Sequence, residues 1–154
     1  MDMNDVDRLV AIEAIRSLQS RFVRYIDCKD WLGLARLFVA EGSFILYGVD
    51  GKPQATLIGG EQIRTELAAI VGCGTTIHHL FSYEIDIKSP TAAHGIWAME
   101  DLIDRTRVRQ SARAILDFKT LHGLGHYHVD YRKDDGTWLI ASQKLYRTRL
   151  YVTR

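Results

Sequence analysis

Apolar residues recur at helical spacing near the start of the chain. Ile12, Ile15, Leu18, Phe22 and Ile26 share one face of a stretch from Leu9 to Asp27, which predicts an amphipathic helix laid on a core. Asp30 is placed to cap a second short helix from Trp31 to Phe38. Glu41 and Gly42 lead into a strand from Ser43 to Val49, closed by an Asp50-Gly51 turn. Gly59-Gly60 opens a third helix, Glu61 to Val71, and Gly72-Cys73-Gly74 ends it. From there the period changes to two, predicting strands at 76–88, 92–104, 117–133 and 137–151, with turns at Ser89-Pro90 and Asp135-Gly136. Helices followed by a long antiparallel meander define an α+β fold with helices packed on one face of a curved sheet.

Strand parity divides the side chains between the two faces of that sheet. Trp97, Met99 and Asp101 share one face, and Ala98, Glu100 and Leu102 the other. Tyr127, Val129 and Tyr131 likewise oppose His126, His128 and Asp130, and the apolar sets belong inside. His78 and His79 must point in opposite directions.

Composition narrows the class. The 154 residues, 47% hydrophobic and 25% charged, suit a single domain spanning 1–154. A net charge of +1 gives no reason to expect nucleic acid or an anionic membrane as a partner. Cys28 and Cys73 make no disulfide framework, and the N-terminus lacks the pattern of a signal peptide. No apolar run approaches the roughly 18 residues of a membrane span. These features predict a soluble cytoplasmic protein.

Asp27 carries the first chemical signal. It lies at the margin of the apolar helix face, where an ionised carboxylate leaving water needs a partner or must neutralise. Arg24 or Lys29 could be that partner, with a purely structural role for Asp27. The other reading places a histidine against it: a carboxylate on one imidazole nitrogen fixes the tautomer and leaves the second nitrogen free to take a proton.

The segments RFVRYIDCKDWLGLARLF, TIHHL and GHYHVDYRKDDGTWLIA resemble the SnoaL-like branch of the nuclear-transport-factor-2-like superfamily, over nearly the whole chain. The resemblance implies a cone-shaped fold in which a strongly curved antiparallel sheet is closed by N-terminal helices over a cavity. Scytalone dehydratase, bile acid 7α-dehydratase and γ-hexachlorocyclohexane dehydrochlorinase belong to this branch, and the Asp-His pair they use for proton removal corresponds to Asp27 and His78. It also implies Asp101 as a second polar residue and Tyr127 as a late-strand aromatic. Where several relatives carry tyrosine or lysine, this chain has Phe22, which cannot donate a proton. Tyr25, Tyr47, Asp101 or the second face of His78 would then have to serve a leaving group.

The expected catalytic set is therefore Asp27, His78 and Asp101. Phe22, Tyr25, Tyr47, Trp97, Met99, Tyr127 and Arg147 are expected to contact a hydrophobic cyclic small molecule. Tyr127 can donate to a developing oxyanion, and Arg147 can bind a carboxylate or close the pocket mouth. His126 and His128 are spaced like metal ligands, but no third ligand is spaced to complete them, so neither a metal nor any other cofactor is expected. The basic run from Arg105 to Arg113 reads as a solvated crossing between strands, and Cys28 as a small buried residue. A sheet face bearing His126, His128 and apolar neighbours points to a homo-oligomer, a dimer or trimer. The functional expectation is a cofactor-independent lyase, such as a dehydratase, or an isomerase. The rival is a non-catalytic assembly subunit resembling the small β subunit of ring-hydroxylating dioxygenases.

Overall fold

The computed structural model describes residues 3–107 and 116–154. α1 (Asp5–Cys28) begins where Asn4 accepts a hydrogen bond from the Asp7 backbone N–H at 2.8 Å, with Asp5 and Asp7 complementing the positive end of the helix. Its buried face runs through Ala11, Ile15, Leu18, Phe22 and Ile26, one step off the expected stripe because Ile12 lies at the margin. α2 is shorter than its apolar pattern predicts, covering Trp31–Ala35 after an Asp30 cap. α3 (Gly60–Val71) stops at Gly72, whose φ of 59° suits a residue without Cβ.

Phe38 does not end a helix; it begins β1 (Phe38–Tyr47), which turns at 48–51 into β2 (Pro53–Ile58). The meander is β3 (Thr75–Ser89), β4 (Ala92–Asp104), β5 (Thr120–Asp134) and β6 (Thr137–Thr153). The six strands form one open sheet in the order β2-β1-β6-β5-β4-β3. Its pairings are antiparallel except that β1 lies parallel to β6, so the sheet is mixed. Register shifts at 80–83, 124–125 and 130–131 bend it, since an extra residue on one strand strengthens local twist.

The helices cover the concave side, where the apolar parity sets gather: Trp97, Met99, Tyr127, Val129 and Tyr131 are all buried. A polar chain ties α1 to the sheet beneath it. Trp97 donates to the Tyr131 hydroxyl, Tyr131 to the Gln19 side-chain oxygen, and the Gln19 amide to Gln143. Arg105 departs from the expected solvated crossing: it is buried and donates to the carbonyls of Ile70 and Phe118, joining the end of α3 to the approach to β5. The remainder of that basic run, 108–113, lies outside the described residues. Cys28 is exposed rather than buried, because it falls on the outer side of the last turn of α1. Among the described residues no helix is long and apolar enough to cross a membrane.

Candidate active site

The last turn of α1 and the start of β3 meet at Asp27 and His78. One Asp27 oxygen lies 2.7 Å from His78 Nδ1, and the other accepts from the His78 backbone N–H at 3.0 Å. Thr76, two residues earlier on the same face of β3, is buried near the Asp27 side chain and adds a small further pull on its titration. Burial pushes the Asp27 carboxyl upward, but these donors and the neighbouring imidazole together outweigh it and hold the group below its ordinary value of 3.8. An ionised acceptor on Nδ1 assigns the ring proton to that nitrogen. Nε2 is then left without a hydrogen-bond partner among the described residues, on a side chain that is 5% exposed and lines a cavity. His79 points to the opposite face and pairs with Glu100, as strand alternation requires.

The same cavity is lined by Asp101, Tyr127 and Arg147, with apolar walls from Ile26, Leu67, Ile70 and Leu145. Asp101 and Arg147 face each other across β4 and β6 over Gly123 of β5. The guanidinium donates to both carboxylate oxygens, at 2.6 and 2.8 Å, with both side chains under 10% exposed. Desolvation alone would lower the Arg147 pKa; the bonds and charge of Asp101 reverse this and raise it. Gly123 is required by close approach, since a Cβ there would collide with both members of the pair. Burial, reinforced by Asp101, raises the Tyr127 hydroxyl well above the usual tyrosine range, so it remains a proton donor. That hydroxyl makes no hydrogen bond within the described residues.

The remaining expected contacts do not line this cavity. Phe22 is wholly buried and meets Tyr127 edge to face with ring centres 5.7 Å apart, which makes it a support for that ring. Tyr25 lies beneath the Arg24 guanidinium at the edge of α1. Tyr47 is on the outer face, stacked on Tyr146 at 4.5 Å, because Phe44 and Leu46 take the inward positions of β1. Trp97 and Met99 are inside, yet Trp97 is committed to Tyr131, and Met99 packs behind Arg147. Sequence reasoning passed over Thr76, although it shares parity with His78.

The cavity measures about 40 Å³ as the described residues close it, space for a few waters. Pockets that hold drug-sized ligands measure about 300–1,000 Å³. A groove of about 450 Å³ lies elsewhere, on the outer side of the sheet end, lined by Ile77, Leu102, His122, Tyr151 and Val152. It contains neither Asp27 nor His78.

The SnoaL-like domain family matches residues 7–144, and the chain belongs to that family. Among solved structures, a hexachlorocyclohexane dehydrochlorinase of type 2 is similar at 19% identity, with a TM-score of 0.77 over 98% of this chain and 94% of its own. A proposed scytalone dehydratase from Novosphingobium aromaticivorans is 21% identical, with a TM-score of 0.78 over 98% and 93%. The β subunit of a proposed aromatic-ring-hydroxylating dioxygenase from the same organism is 12% identical, with a TM-score of 0.73 over 94% and 93%. At these identities the likeness is one of fold. No curated protein is similar enough in sequence to match.

Proposed function

We propose that this protein is a cofactor-independent lyase or isomerase in which His78 removes a proton from carbon in a hydrophobic cyclic small molecule. The observation that carries this reading is the Asp27–His78 pair: Nε2 has no hydrogen-bond partner among the described residues, and His78 lines a cavity with largely apolar walls. Nε2 takes the proton, the C–H electron pair forms the new double bond, and the leaving group departs with its own pair. Asp27 stabilises the imidazolium, an assistance that grows where water is excluded. The Tyr127 hydroxyl donates to negative charge developing on the substrate.

The geometry narrows the choice of acid for the leaving group. Tyr25 and Tyr47 do not line the cavity, and both oxygens of Asp101 accept from Arg147. Protonated His78 is then the group that returns a proton to a departing hydroxyl, which requires proton and leaving group on the same side of the ring. A halide needs no acid. A cyclic substrate enters only if the walls part, since the closed cavity is too small for it.

The test is turnover of a panel containing hexachlorocyclohexane isomers and cyclic β-hydroxy ketones, followed by chloride release and dehydration. We expect turnover of at least one class, lost in His78→Gln. Turnover undiminished by that substitution removes His78 from the mechanism, and no turnover of any compound favours the rival, a non-catalytic subunit. That second reading draws on the small cavity and on the fold shared with a dioxygenase β subunit.

Assembly is part of the same proposal. The outer sheet face carries His79, His94, His122, His126 and His128 beside exposed Ile77 and Tyr151, and apolar surface of this kind is rarely left bare. We expect a dimer or trimer by sedimentation at micromolar concentration; a monomer there contradicts it.

A further inference from the structure

The groove on the outer side of the sheet measures about 450 Å³, inside the range of about 300–1,000 Å³ that takes drug-sized ligands. Exposed Ile77, Leu102, Tyr151 and Val152 give it apolar walls where the start of β3, the end of β4, the start of β5 and the end of β6 lie side by side. Groove and cavity are back to back. Ile77 precedes His78 and Leu102 follows Asp101, so alternate side chains of the same strands serve the two faces.

One side chain of the groove is chemically specified. His122 Nε2 lies 2.7 Å from one oxygen of Glu100, and His79 Nδ1 lies 3.1 Å from the other. Hydrogen bonds from these imidazoles, that of His122 foremost, hold the Glu100 carboxyl below its ordinary value of 4.5, so at neutral pH it is ionised and only accepts. The ring proton of His122 is thereby assigned to Nε2, and Nδ1 keeps its lone pair. Among the described residues none donates to that nitrogen. The Tyr151 ring is tilted against the imidazole, with centres 6.0 Å apart and planes at 37°.

Other polar side chains along the groove are engaged with one another. The Thr120 and Thr153 hydroxyls bond at 2.7 Å, and Asp104 accepts from the Thr106 backbone N–H and hydroxyl. The carboxylates of Asp104 and Glu100 repel an anion, and an ammonium would give up its water against the apolar walls. We propose that this groove is a second binding site, for a neutral apolar ring compound that carries one hydrogen-bond donor and gives it to His122 Nδ1. A phenol is the simplest member of that class. The site stands independently of the base role proposed for His78. A second copy seated on the stretch of His94, His126 and His128, further along β4 and β5, leaves the groove open.

The test is an NMR titration of the full chain with para-cresol, with its methyl ether as a probe of similar shape that lacks the donor, and with para-toluate as the anion. Signals of Ile77, Leu102 and Tyr151 report the groove, and those of Leu67 and Leu145 the catalytic cavity. We expect para-cresol to shift the groove signals and the His122 Nδ1 resonance, and the ether to bind about three- to tenfold more weakly, the worth of one hydrogen bond. Para-toluate should bind more weakly still. His122→Phe keeps an aromatic ring and removes the acceptor, so it should bring para-cresol down to the affinity of the ether and leave the ether unchanged. His126→Phe, outside the groove, should alter neither. Equal binding of para-cresol and ether overturns the proposal, as does a para-cresol affinity that His122→Phe leaves intact. A response confined to Leu67 and Leu145 overturns it by placing the probe in the cavity. No response at millimolar para-cresol also overturns it, and groove signals that follow protein concentration alone assign the groove to a second copy instead.

Discussion

Asp27→Asn folds and loses about 10⁴-fold in turnover of whatever compound the wild type converts, because an amide leaves the His78 imidazolium without a counter-charge and no longer enforces the Nδ1–H tautomer. The cost to the fold is small and depends on pH. A carboxylate held below 3.8 in the folded state adds stability that is fully present well above that value and is lost as pH falls through the lowered one. The melting temperature of the variant should therefore sit modestly below that of the wild type at pH 7, with the gap closing at pH values under 3.8. Activity retained within tenfold, or a variant that fails to fold at pH 7, would make Asp27 a structural residue only.

The largest stability effect belongs to the Asp101–Arg147 pair. Both partners are nearly inaccessible, and their two parallel hydrogen bonds offset the cost of taking two charges out of water. Arg147→Met leaves the buried Asp101 carboxyl without its partner against an apolar wall, which costs about 3–5 kcal/mol. For a chain of this length that corresponds to a fall of roughly 6–20 °C in melting temperature, at about 2–4 °C per kcal/mol. Adding Asp101→Leu to Arg147→Met should recover most of the loss, since the double variant buries no orphan charge. Thermal unfolding checks both. A single variant within about 1 kcal/mol of wild type would mean that water reaches the pair and that the site is more open than described.

Much of this arrangement was legible in period-two parity. It set Asp101 with Trp97 and Met99, Tyr127 opposite His126 and His128, and His78 opposite His79, because successive side chains of a strand have no other choice. Parity would also have placed Thr76 with His78. The helix face of α1 was readable to within one position for the same kind of reason.

What could not be read was long-range or lacked a pattern of its own. The parallel pairing of β1 with β6 brings Leu46 beside Leu145, residues with no local signal linking them. β2 was missed because PQATLI is an edge strand in which only Leu57 is buried, so no alternation marks it. Phe38 was assigned to a helix because a short apolar run after a helix has no distinguishing period. Tyr47 was expected near the substrate on chemistry alone, and the inward turn of Phe44 and Leu46 puts it outside.

The central claim is that His78 Nε2 takes a proton from carbon. The most direct measurement is deuterium uptake from heavy water at the acidic carbon of a compound that the wild type turns over, followed by proton NMR in wild type and His78→Gln. The account predicts uptake into recovered substrate or isomerised product with the wild type, reduced by at least about 10²-fold in the variant, the usual contribution of a positioned base. Uptake at the wild-type rate in His78→Gln would contradict it.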